Sequence, residues 1–133
     1  MPMSEPRHSH PTQLFATLDG LDYSWNPVHA PSDRPHLFSY HITIHNQSDR
    51  LINILARKWV LTYESGEVDV IEGEKVIGKT PRLAPGQCFS YSSFHLVPGN
   101  ARARGAYHGV NEDGDLVSIH VPEFALRSPY PEP

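Results

Sequence analysis

Between Ile71 and Pro81 the chain reads IEGEKVIGKTP, with Gly73 and Gly78 bracketing Lys75, and with Lys79 and Arg82 just beyond. Glycines beside cations are what a chain needs to hold an anion. Glycine lets the backbone approach an oxygen closely and turn its N–H groups toward it, and lysine supplies charge. In a dinucleotide fold such spacing works because it joins a strand to a helix N-terminus. Here Pro81 and Pro85 forbid a helix after the loop. As structure, the stretch reads as a bent connection whose Val76 and Ile77 dip into the core. As chemistry, it reads as a small-anion site made by Gly73, Lys75, Gly78, Lys79 and Arg82, the cations replacing part of a backbone nest.

Other residues able to do chemistry are less well organised. Nine histidines raise the question of a metal. His41 and His45 share one strand face but stand about 13 Å apart by strand rise, too far for one ion. His8 and His10 lie in the N-terminal stretch, and His95, His108 and His120 fall on separate strands. There is no C-x-x-C and no H-x-x-x-H on a helix, so no metal and no other cofactor is expected. Cys88 is the single cysteine and excludes an intrachain disulfide; within GQCFSY it reads as a small core residue. Trp59, on a regular strand, reads as core, and Trp25 is the other candidate for a ligand surface. Arg102 and Arg104 read as a solvated strand face. Glu112, Asp113 and Asp115 read as turn residues, too few for a calcium loop. No Ser-His-Asp or G-x-S-x-G pattern is present, and no catalytic residue is assigned.

The elements that must position these residues are strands. LFSYHITIHN alternates cleanly, with Phe38, Tyr40, Ile42 and Ile44 on one face and Ser39, His41, Thr43 and His45 on the other. NQSD at 46–49 is turn chemistry. LARKWVLTY at 55–63 also alternates. Leu51, Ile54, Leu55 and Lys58 would fit a helical stripe that Ser48 could cap, but the aromatic and β-branched half favours a strand. ESGE then turns into VDVIE, giving a hairpin. In LAPGQ, Pro85 and Gly86 suit the two central positions of a type II turn. CFSYSSF follows as a strand. RARGAYHGV, NEDGD and LVSIHVP form strand, Asp-Gly turn and strand, and Pro122 marks an edge or a bulge. TQLFATL and LDYSW are fainter strands. About seven to nine short antiparallel strands with regular turns, and no βαβ alternation, indicate a sandwich or barrel.

With 133 residues the chain makes one domain, residues 12–127, between polar, proline-spaced tails at 1–11 and 128–133 that are expected to be flexible. A net charge of −4 gives no bulk attraction to nucleic acid or to an anionic membrane, and neither is expected as a partner. No apolar run reaches signal-peptide or membrane-span length, so the cytoplasm is the expected address.

The ordered segments FSYHITIHN, RKWVLT, GEKVIGKTPRLAPGQCFSYSS, RGAYHGVNEDGD and VPEFAL resemble the ApaG family over about residues 13 to 127. The resemblance implies an immunoglobulin or fibronectin type III-like β-sandwich. It also implies a bacterial role linked to cobalt and magnesium efflux, and kinship with binding modules in eukaryotic F-box and polymerase-interacting proteins. The family's G-x-G-x-x-G has been linked to pyrophosphate. Here its middle glycine is Lys75, the residue before Trp59 is Lys58 where an aromatic or histidine is usual, and Phe94 stands where a glycine is usual. The expectation is a non-enzymatic binding domain that takes a small anionic ligand or an unknown protein partner, its oligomeric state left open. A protein-interaction module using a sheet edge or face is the alternative, and a nucleotide hydrolase ranks last for want of a poised base or metal cage.

Overall fold

The structure, a computed structural model, describes residues 13–25 and 33–129. The tail expected at 1–11, His8 and His10 lie outside the described residues. Of the expected C-terminal tail only Ser128 and Pro129 lie inside, and the Ser128 amide donates to Asn100 Oδ1 at 2.9 Å.

Eight strands follow in order: β1 (Leu14–Trp25), β2 (His36–Asn46), β3 (Ile52–Tyr63), β4 (Val68–Glu74), β5 (Arg82–Leu83), β6 (Cys88–Val97), β7 (Ala101–Asn111) and β8 (Leu116–Leu126). They form two antiparallel sheets, β1-β2-β6 and β4-β3-β7-β8, with the short β5 pairing the first residues of β3. The layered arrangement is that of an immunoglobulin or fibronectin type III-like sandwich.

Alternation decides the faces. Phe38, Tyr40, Ile42 and Ile44 of β2 are at most 3% exposed and meet Trp59, Leu61, Tyr107, Ile119 and Val121 of the other sheet in one core. Tyr91 and Tyr107 hydrogen-bond hydroxyl to hydroxyl across the sandwich. The Trp59 indole lies over Gly105, where a Cβ would sit 2.6 Å from a ring carbon, so only glycine fits. Turns follow the residues that demand them. Gly86 has φ 87° and the Gln87 amide donates to Ala84 O at 3.0 Å, closing the Pro-Gly turn. Gly114 has φ 84°, and Asn111 Oδ1 accepts the Asp113 and Asp115 amides at 2.9 and 3.0 Å, which accounts for that acidic cluster as turn chemistry.

Several sequence expectations change. TQLFATL and LDYSW are one strand, β1, with Asp19 bulged out of register between Leu18 and Gly20. The helix-like stripe at 51–58 also comes from a bulge. Ile52 and Ile54 point inward, the register shifts between Ile54 and Ala56, and Trp59 and Leu61 point inward afterwards, leaving Leu55 43% exposed. One extra residue flips the side-chain phase and imitates a three-four spacing. Ser48 caps no helix; its hydroxyl donates to Asn46 Oδ1 at 2.6 Å within the 46–50 turn. Pro122 lies on edge strand β8 beside the register shift between Ala103 and Gly105, so it is at both an edge and a bulge. Cys88 is exposed rather than core, because β6 turns Cys88, Ser90, Ser92 and Phe94 outward together.

Candidate functional site

The residues singled out for an anion lie along the first half of β3. Gly73 pairs with Arg57 one residue before the end of the β3–β4 ladder, and the Arg57 guanidinium covers it: a Cβ there would lie 3.3 Å from Nη2. Arg57 Nη1 donates to the carbonyls of Glu74 and Lys75 at 2.8 and 2.9 Å. The Lys75 amide donates at 2.6 Å to the carbonyl of Leu55, the residue at the β3 bulge. Val76 and Lys79 then exchange both backbone hydrogen bonds, at 2.6 and 2.9 Å, around a two-residue turn. Ile77 at φ 45° and Gly78 at φ 79° make it type I′. Arg82 pairs with Asn53 in β5.

The structure thus brings Gly73, Lys75, Gly78 and Lys79 onto one hairpin with Arg82 on the adjoining strand, and Lys75, Lys79 and Arg82 are all exposed. A backbone nest is not formed, because the Lys75, Val76 and Lys79 amides are taken by carbonyls. Within residues 75–80 the Ile77, Gly78 and Thr80 amides donate to no backbone carbonyl and remain for a ligand. Val76 does dip into the core, fully buried, but Ile77 does not: it is 47% exposed. A hairpin whose ends exchange hydrogen bonds can send only one of two adjacent side chains inward. Lys75 has φ 71°, left-handed backbone that glycine adopts freely, which fits the glycine the family motif carries there.

Sequence reasoning missed two features that only register could reveal. On the outer face of the three-stranded sheet, His41 Nδ1 lies 2.5 Å from Ser92 Oγ and His41 Nε2 lies 3.0 Å from Asp22 Oδ2. The residue types are those of a catalytic triad. An oxyanion hole needs N–H groups converging on the reacting carbonyl, and strand N–H groups lie in the plane of the sheet, so none points off this flat face toward Ser92. The array is an exposed hydrogen-bond chain; separate from it, Asp19 accepts from the hydroxyls of Thr43 and Thr17, which hold its carboxyl below its usual range. The second feature is a cavity of about 540 Å³ at the other end of β3, lined by Arg34, Tyr63, Glu67, Asp69 and Asn100 among others. Its wall is set by the Tyr63 hydroxyl, which donates to Asp69 at 2.6 Å, and by Arg34 Nη1, 3.3 Å from the same carboxylate.

The histidines do not converge. His95 is buried between Tyr40 and Trp59, His108 meets Ser118 at 3.0 Å, and His120 is exposed. Among the described residues no three His, Cys, Asp or Glu side chains group to hold a metal.

A two-layer antiparallel sandwich with an exposed, cation-bearing hairpin beside β3 defines an immunoglobulin or fibronectin type III-like domain. The ApaG domain matches residues 27–111, and the chain belongs to the ApaG family. It is 46% identical over 98 residues to Protein ApaG of Chromohalobacter salexigens, covering 74% of this chain and 77% of that one. It is 37% identical over 100 residues to Protein ApaG of Aromatoleum aromaticum, covering 74% and 79%. Among solved structures, the putative ApaA protein from Bordetella pertussis superposes with a TM-score of 0.73 at 30% identity, over 87% of this chain and 95% of that one.

Proposed function

We propose that this chain is a non-enzymatic binding domain of the bacterial cytoplasm, and that its ligand is anionic and held at the rim of Gly73, Lys75, Gly78, Lys79 and Arg82. One contrast carries the reading. Among the described residues Arg34, Arg50, Arg102 and Arg127 each meet a carboxylate at 2.6–3.4 Å. Lys75, Lys79 and Arg82, close together and exposed, meet none. Lys58 and Arg104, exposed on strands, also meet no carboxylate among the described residues, but residues 75–82 gather three unpaired cations in one short stretch, which suits a ligand that brings the negative charge. Held by side chains more than by backbone, the ligand is of phosphate or pyrophosphate type, and the family resemblance ties its binding to cobalt and magnesium homeostasis. Isothermal titration of the full chain with pyrophosphate tests this. Heat with the parent and about tenfold weaker binding after Lys75→Ala with Lys79→Ala are expected, from roughly 0.7 kcal/mol per exposed charge. No heat with the parent ends the reading.

A second reading rests on β4. It is the edge of its sheet, and Val68, Val70 and Ile71 are 52%, 53% and 41% exposed. An open edge with apolar side chains suits strand addition by a protein partner. A complex that survives the two lysine changes but is lost on Val70→Lys would favour this reading over the first.

A further inference from the structure

The hairpin at 76–79 is built against its own stability. A type I′ turn needs left-handed backbone at both central positions, and Asn-Gly supplies it at least cost. The chain places Ile77 first, and a β-branched residue at φ 45° is an outlier. Lys75, two residues earlier, is also left-handed at φ 71°. The strain is not offset by burial of the strained residue. Val76, fully buried, anchors the hairpin, whereas Ile77 stands out at 47% exposure between Lys75 and Lys79. Strain that holds a side chain in solvent is the kind that gathers at contact sites. A phosphate has no use for that side chain.

We infer that the hairpin tip docks a protein: an acidic segment presenting an apolar side chain. Ile77 makes the apolar contact, and Lys75, Lys79 and Arg82 meet the carboxylates around it. The inference rests on the reading of this rim as an anion-binding site and adds, beside the small anion, a protein ligand for the same cations. Charge complementarity selects the partner. The three cations within residues 75–82 have no ion pair among the described residues, and the acids nearest in sequence, Glu72 and Glu74, belong to β4, where Glu72 already faces Lys58 across the ladder. An apolar centre ringed by charged contacts that exclude water is also how interface energy is concentrated.

The test uses the full chain and three probes: a short poly-glutamate peptide with a central leucine, its twin with a central serine, and pyrophosphate. The parent is expected to bind the leucine peptide at least about tenfold more tightly than the serine peptide, the worth of roughly one buried aliphatic contact. Ile77→Asn is expected to raise Tm by about 3–6 °C by relieving the turn, while losing the leucine preference and keeping pyrophosphate binding. Equal affinity for the two peptides, retention of the preference by Ile77→Asn, or a lowered Tm in that variant overturns the inference and leaves the anion reading standing. Failure of all three probes to bind the parent removes the anion reading and this inference together.

Discussion

Two places in this sandwich break the local rules, and they are resolved in opposite ways. Between the sheets, His95 is only 5% exposed and its Nε2 has no hydrogen-bond partner. Beside β3, Lys75 and Ile77 hold left-handed backbone that neither residue favours. In the core the misfit is enclosed: the Tyr40 and Trp59 rings each stand 4.9 Å from the imidazole. At the rim nothing in the described chain covers the misfit. An oddity that the fold surrounds belongs to packing; one that it presents to solvent is open to use by another molecule. Mutation can break that division, first where packing dominates.

Trp59→Ala should have the largest effect. The indole is 2% exposed and packs edge-on to His95 and Phe124. Its removal should cost about 3–5 kcal/mol in urea unfolding, a large share of the stability of a domain this size. Gly105→Ala should be costly in the parent and much less so when Trp59 is replaced by leucine, since the three atoms nearest the added Cβ all belong to the ring. Additive losses in that double variant would mean that the two residues are not one packing unit.

Acid should expose the His95 misfit next. Burial pushes its imidazole down to about 4 from the usual 6.5. Above pH 6.5 the ring is neutral folded or unfolded and costs nothing through titration. As pH falls from 6.5 toward 4, the unfolded chain takes a proton that the folded one refuses, so stability drops, by about 3 kcal/mol over the window. Below 4 the folded form protonates too and this contribution levels off. The carboxyls of Asp19 and Asp69, held below their usual value by the hydroxyls of Thr43 and Tyr63, add their losses at lower pH. His95→Phe should flatten the curve between pH 6.5 and 4; an unchanged slope would place the titration elsewhere.

What the chain disclosed before folding follows the same division. Regular alternation was readable: β2 by its four inward apolar residues, β7–β8 by the Asp-Gly turn, the type II turn by Pro85 and Gly86. The bulges at Asp19 and Leu55 were not readable, because each reverses the phase on which periodicity depends. Cys88 was legible in principle, sharing its parity with Ser90 and Ser92, but its apolar neighbour Phe89 suggested a core. The candidate rim was legible as composition, glycines beside cations, whereas its turn type and the outward Ile77 depend on Val76 being drawn into the core. The Ser92–His41–Asp22 chain and the Arg34–Asp69–Tyr63 cavity wall required strand register and long-range contacts that no local pattern encodes.

Within the rim itself, Lys75→Gly should give a small gain. Glycine relieves left-handed strain worth roughly 1–2 kcal/mol but adds freedom to the unfolded chain, leaving a net gain of about 0.5–1 kcal/mol. A loss instead would mean that the Lys75 side chain packs in a way its exposure does not suggest.

The smallest effect on folding belongs to the charges. Lys79→Ala and Arg82→Ala remove exposed groups that meet no carboxylate among the described residues, so unfolding should shift by less than about 0.5 kcal/mol in either direction. Arg102→Ala is the paired control, since its Nε and Nη2 stand 2.7 and 2.6 Å from Glu123 Oε2. That pair is exposed, so its loss is also small, roughly 0.2–1 kcal/mol. The informative measurement is salt dependence. Binding of an anionic probe should weaken with ionic strength in the parent and in Arg102→Ala alike, and the dependence should be shallower in Lys79→Ala with Arg82→Ala. If removing Arg102 flattens the salt response as much as removing the rim cations does, the protein attracts anions by its general field, and the hairpin has no special claim on them.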